Sequence, residues 1–292
     1  MTTSDSERTT PTPAIDAASG EPRDGRQTRP PRRRIARPAA VPRPVIAVAV
    51  AGVLVLLVPL LALLLDAPWS TLGSLLFTGE TLTAIRVSLV VSLSAVILSV
   101  VFGVPTAFVL ARIEFPAKPL VRTIVTVPLV LPPVVTGVAL LSGFGRRGLL
   151  GSLTGWGLSA STTGAVLAAT LVAMPFLVLS VEGALRTTDP RYEQLAASLG
   201  ARPLARWWRV SLPLARPSIL AGAILAWARA LGEFGATITF AGNIEGVTRT
   251  LPLDVSIALE SDPDRAVALS LLMLTVALAV LVGLRDRWVP RR

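Results

Sequence analysis

The sequence predicts an all-α polytopic membrane protein with six transmembrane helices, and three observations predict it. Apolar residues make up 52% of the 292-residue chain and charged residues only 16%, whereas a soluble domain carries about 25% charge. The apolar residues gather in six runs, each near the roughly 20 residues that cross about 30 Å of hydrocarbon. The ten-residue alternation of barrel strands is missing, and in lipid the helix is the other structure that satisfies its own backbone.

Residues 1–44 come first and are rich in Pro, Arg, Thr, Ser and Asp. Such a segment buries too little apolar surface to offset its ordering entropy, so a disordered basic tail is expected. It does not read as a signal peptide, because its polar lead is long and no small-x-small pattern follows the apolar run. The domain from residue 45 to 292 is then the membrane unit. Its runs are Val45–Leu65, Val87–Leu110, Ile124–Phe144, Thr163–Val181, Ser218–Phe240 and Ala266–Leu284. Pro105, Pro132, Pro133 and Pro175 interrupt them. Proline frees carbonyls and kinks a helix, either to bend a path or to shape packing.

The net charge of +10 resolves by side. With the amino terminus in the cytoplasm, the inside segments hold 22 of the 28 Lys and Arg. Outside lie Arg86, Arg146, Arg147, Arg249 and Arg265, and Arg229 falls within the fifth run. The positive-inside rule therefore puts both termini in the cytoplasm. Arg32, Arg33 and Arg34 stand just before the first span, where they set orientation and touch lipid head groups rather than nucleic acid.

Absences exclude whole classes of chemistry. The chain has no cysteine and no histidine, which removes disulfides, thiolate nucleophiles, His-based zinc sites and Ser-His-Asp triads. Lys118 is the sole lysine and no Gly-x4-Gly-Lys-[Ser/Thr] run exists, so ATP hydrolysis by a P-loop is excluded. A membrane enzyme would show a cluster of ionisable groups at one depth, and only Arg229 and Glu233 are available. The chain is read as a non-enzyme with no metal and no cofactor of its own.

The loop over 182–217 carries the most information. Asp189-Pro190 is a helix start, Tyr192, Leu195, Ala196 and Leu199 form one apolar face, and Gly200 is a natural stop. A short amphipathic helix over Pro190–Leu199 follows. It either lies on the membrane or docks a partner.

Tyr192-Glu193-Gln194-Leu195-Ala196-Ala197-Ser198-Leu199-Gly200, then Val210-Ser211-Leu212-Pro213, resembles the cytoplasmic EAA loop of bacterial ABC importer permeases. Gly200, Val210, Leu212 and Pro213 fit its spacing. Gln194, Leu195 and Ala196 occupy the Glu-Ala-Ala positions, and Glu193 stands one place early. Ala228 to Ile244, with Gly232-Glu233-Phe234-Gly235-Ala236-Thr237 at its centre, looks like the molybdate branch of these permeases. Thr248-Arg249-Thr250-Leu251-Pro252, Pro128 to Gly137 and Phe144-Gly145-Arg146-Arg147-Gly148 agree. The similarity covers about 83–284.

The resemblance implies a type I, MetI-like importer permease in a bacterial plasma membrane. It implies a dimer with a second copy, two ATPase subunits that use ATP and Mg, and an extracytoplasmic oxyanion-binding protein. Docking would fall to Tyr192, Glu193, Gln194, Ala196, Ala197, Leu199, Gly200, Leu212 and Pro213. Molybdate is the implied cargo, with sulfate, thiosulfate or tungstate as alternatives; a membrane enzyme or passive channel would have no use for the EAA-like loop.

The translocation path is sought in the third and fifth runs. Arg229 and Glu233, at i and i+4, either neutralise each other or gate the anion. Thr136, Thr237 and Thr239 are candidate hydroxyl ligands, or helix threonines bonded back to their own turn. Gly232 and Gly235 allow close backbone approach.

Overall fold

The structure, a computed structural model, describes residues 42–288, with side chains described as far as Gly283. Residues 1–41 of the basic tail, including Arg32 to Arg34, lie outside the described residues, as does the side chain of Leu284. The described residues form α-helices and one π-helical turn.

The chain divides into two units, residues 1–51 and 52–292. In the first, the described residues open helix α1 (Arg43–Leu65), and all of them are exposed. The second carries the remainder of α1, α2 (Leu72–Leu76), α3 (Gly79–Arg112), α4 (Lys118–Val130), α5 (Pro133–Phe144), α6 (Leu149–Thr154) and α7 (Thr162–Thr187). After α7 come α8 (Arg191–Ser198), α9 (Pro203–Arg206), a π turn (Trp207–Ser211), α10 (Leu212–Leu231), α11 (Gly235–Phe240), α12 (Leu251–Ser261) and α13 (Pro263–Trp288).

Among the described residues five helical segments are long and apolar enough to cross a membrane. They contain the first, second, fourth and sixth predicted runs and most of the fifth. The third run forms two shorter helices, α4 and α5. Pro132 and Pro133 are the reason. A residue before proline is driven out of the helical region, and two prolines in sequence drive out two residues. Leu131 (φ −66°, ψ 135°) and Pro132 (φ −54°, ψ 137°) are both extended. A single proline is absorbed: α3 runs through Pro105 and α7 through Pro175 without a break.

Helix α7 is the centre of the packing. Ala165, Ala169, Ala173, Leu177, Val181 and Leu185 are buried against Val91, Ala95 and Ala107 of α3 and Ala215, Ala226 and Ala230 of α10. So many alanines let backbones approach closely, which replaces the hydrophobic driving force that lipid removes. The Trp227 Nε1–H donates to Ser92 Oγ at 3.0 Å, joining α10 to α3. Outward side chains such as Val90, Leu93 and Ile97 of α3 are exposed. An apolar surface of that extent suits a hydrocarbon solvent.

At one end, Arg265 of α13 donates to both oxygens of Asp254 on α12, at 3.1 and 2.9 Å, and pairs with Glu80 of α3 at 2.9 Å. Burial pushes the Asp254 carboxyl above its ordinary range, and Arg265 opposes that only in part. At the other end, Glu182 of α7 pairs with Arg122 of α4 and with Arg186 at 3.1 Å.

Candidate functional site

Two places carry sequence-predicted site residues: a pair of helix breaks and a loop. The fifth run also breaks. Helix α10 ends at Gly232, Phe234 is non-helical at φ −126° and ψ −58°, and α11 begins at Gly235. Helix α11 lies directly on α5, with Leu140, Ala236 and Phe240 buried together against α7. Glycine makes this contact possible. A Cβ on Gly137 would stand 2.5 Å from Thr239 Cβ, and one on Gly235 2.5 Å from Pro133 Cβ. Gly232 has only Ala228 O near, at 3.6 Å, so close packing explains Gly235 but not Gly232.

Glu233 is buried at the break and serves two elements. Its Oε1 accepts from the Ala236 N–H at 2.8 Å, capping α11. Its Oε2 lies 2.7 Å from Arg229 NH1 but off the hydrogen-bonding direction, so charge rather than a directed bond holds it. The expected i,i+4 pair is therefore formed. Capping also fills the first turn of α11, where an anion would otherwise meet free N–H groups.

The threonines are mostly turned back on their own helices. Thr136 Oγ1 donates to Pro132 O at 3.4 Å and Thr239 Oγ1 to Gly235 O at 2.8 Å. Thr136 and Thr237 are buried. Beside α10, a groove of about 670 Å³ is lined by Ser180, Arg216, Pro217, Ser218, Leu220 and Ala221.

The loop forms as the spacing predicts. Asp189 Oδ1 accepts from the Arg191 N–H at 2.9 Å. Helix α8 ends in a Schellman motif: Gly200, at φ +81°, donates to Ala197 O, and Ala201 donates to Ala196 O, both at 3.0 Å. Tyr192, Gln194, Leu195, Ala197 and Leu199 are exposed, Leu199 at 88%, and so is Pro213; Ala196 and Leu212 are half-buried. So open an apolar face has the character of an interaction surface.

Glu193 points the other way. Its Oε1 accepts from Arg112 Nε at 3.1 Å and from Ser211 Oγ at 3.0 Å. Neither Arg112 nor Ser211 stands out in the sequence. The available signal was an arginine at the end of the second apolar run and an acid in the loop, 81 positions apart.

These features match a known group. A family model described as binding-protein-dependent transport system inner membrane component matches residues 99–292. The chain belongs to this family. It is a multi-pass protein of the plasma membrane and a permease. The molybdenum transport system permease protein ModB of Mycobacterium tuberculosis is 47% identical over 253 residues, covering 86% of this chain and 96% of that protein. The ModB of Escherichia coli K12 is 40% identical over 221 residues, covering 74% and 96%. Among solved structures, a bacterial ABC transporter that imports alginate matches with TM-score 0.64 at 16% identity, over 83% of this chain and 94% of that one. The MetNI methionine ABC transporter matches with TM-score 0.52 at 19% identity, over 70% and 94%. The permease thus has the fold of ABC importer permeases.

Proposed function

We propose that this permease moves molybdate into the cytoplasm by alternating access, driven by a separate ATPase. The observation that carries the cargo is 47% identity to a molybdenum permease over nearly all of that protein's length. The partners follow from chemistry: with no P-loop in the chain, ATP and Mg are handled elsewhere. Two copies of the chain, residues 45–292 of each, form the path, and two ATPase subunits dock on the α8 helices. Tyr192, Gln194, Ala197, Leu199 and Pro213 supply the docking surface. Gly200 ends the helix, and Glu193, Ala196 and Leu212 support it from within.

Both termini lie in the cytoplasm. The 22 inside basic residues support this, and so does the gathering of the α3, α7 and α10 ends around α8. The outside segments carry a net −2, so a separate binding protein captures the dianion. The path passes the α5 and α11 breaks, near Thr136, Gly232, Thr237 and Thr239. Arg229 and Glu233 hold that break by pairing.

The test is uptake of radiolabelled molybdate by vesicles holding the assembled transporter, with sulfate as competitor. Uptake that survives equimolar sulfate is expected. Full inhibition by sulfate refutes molybdate in favour of sulfate or thiosulfate, and preferred uptake of tungstate refutes it likewise.

A further inference from the structure

Glu193 sits on the one helix of the cytoplasmic loop with an open apolar face, yet its carboxylate turns inward. Its side chain is 19% exposed and that of Arg112 is 15% exposed. One oxygen, Oε1, receives two donors from distant parts of the chain. Arg112 is the last residue of α3, and its Nε lies 3.1 Å away. Ser211 is the last residue of the π turn, and its Oγ lies 3.0 Å away. Arg112 also donates through NH2 to Thr188 O, at the end of α7, at 3.3 Å. The ends of α3, α7 and α10 therefore meet behind α8. These are the three helices whose buried faces form the main core.

The connection from α8 to α10 is also braced. Trp207 packs edge-on against Phe108 of α3 at 6.5 Å and against Trp208 at 4.8 Å. The π turn closes with the Leu212 N–H donating to Trp207 O. A π turn carries one residue more than α geometry needs, and such turns concentrate at functional sites. Here it is the point at which α10 changes winding without losing its backbone bonds. Helix α8 is thus joined to the core helices through a carboxylate and a wound turn.

We propose that Glu193 is a positioning residue, clamped to Arg112 and Ser211, that converts movement of α8 into movement of α3 and α10. The inference rests on α8 being the ATPase-docking helix, and it adds that Glu193 works on the permease side of that contact. A docking residue and a coupling residue fail differently. Loss of docking removes the ATPase; loss of coupling leaves it bound and hydrolysing while transport stops.

The test uses the assembled transporter in vesicles with its binding protein. Co-purification of the ATPase, ATP hydrolysis and molybdate uptake are measured on one preparation. Glu193→Gln keeps the size and an accepting oxygen but removes the charge. It is expected to retain the ATPase in full amount and to raise ATP hydrolysed per anion by on the order of tenfold, the worth of one charge-assisted hydrogen bond. Arg112→Gln is expected to do the same, and Glu193→Asp to recover part of the ratio. Ser211→Ala removes one neutral bond and is expected to shift the ratio severalfold, which keeps the test open if the charge variants fail to fold. An unchanged ratio in Glu193→Gln and Ser211→Ala overturns the proposal, and so does loss of the ATPase from Glu193→Gln. Tyr192→Asp tests the docking separately: retention of the ATPase there overturns α8 as the docking helix.

Discussion

Gly137→Ala is the sharpest probe of the paired breaks. The added Cβ would stand 2.5 Å from Thr239 Cβ, 2.9 Å from Thr239 Cγ2 and 3.1 Å from Ala236 O. Carbon atoms pack at about 3.5–4.0 Å, so the helices must separate by about 1 Å. Thr239 Cβ is bonded to the α11 backbone, so no rotamer relieves the clash. Overpacking of this kind costs about 1–3 kcal/mol. Under the proposed alternating access, a clash confined to the conformation described shifts the balance between the two states of the path about 5- to 150-fold. The assays are thermal unfolding of the purified permease and molybdate uptake. Unfolding is expected to begin several degrees lower and uptake to fall by at least fivefold. Gly183→Ala is the control, because nothing lies within 4 Å of its Cβ. Thr239→Ser in the Gly137→Ala background removes Cγ2 but leaves Cβ, and is expected to restore little. Wild-type unfolding and uptake in Gly137→Ala, or full rescue by Thr239→Ser, would falsify the close backbone approach.

Glu233→Ala strips both Arg229 and the Ala236 N–H of their partner, and unfolding measurements are expected to show a loss of about 3–5 kcal/mol; Arg229→Met with Glu233→Leu together should cost less than Glu233→Ala alone. Gly200→Val forces a β-branched residue to φ +81° at a cost of about 1–2 kcal/mol, fraying α8 and lowering ATPase co-purification, whereas Gly200→Asn is expected to be tolerated. The native state binds the Asp254 proton more tightly than the unfolded chain, because its carboxyl is raised by burial. That contribution is complete below the ordinary carboxylate range and is lost as pH rises through the raised native value. Asp254→Asn is therefore expected to flatten the decline in melting temperature across that window, and an unaltered slope would sink the assignment.

The spans were legible because lipid demands an apolar run, and such a run is visible in sequence. Their ends were less so: α7 runs on to Thr187, six residues past the apolar run, because helix continues into polar sequence while its caps allow. The break at Leu131 could be read as a proline interruption, but the difference between Pro132-Pro133 and a lone Pro105 emerges only from the dihedrals. The pair Arg229–Glu233 was legible from its i,i+4 spacing. The second task of Glu233, capping α11, was not, because it requires knowing that the run breaks at Gly232. The loop helix was legible in its start, face and stop, each a local signal. The direction of Glu193 was not, since its partner Arg112 is 81 residues away, and no local periodicity reports a contact at that separation.

Two carboxylates now stand in parallel. Glu193 takes Arg112 and Ser211 at the entry to α10, and Glu233 takes Arg229 and the Ala236 N–H at its exit. Between them α10 is a 20-residue helix, about 30 Å long, packed on α7 by alanines that leave little slack. Under the proposed coupling, this one helix, held at each end by a charged joint and interrupted only by Pro217 near its start, links the two joints. Its far joint bears on α11, and α11 rests on the α5 break through Gly137 and Gly235. Arg229 and Glu233, the charges of the fifth apolar run, thus fall where α10 hands over to α11, and their pairing and capping account for them there.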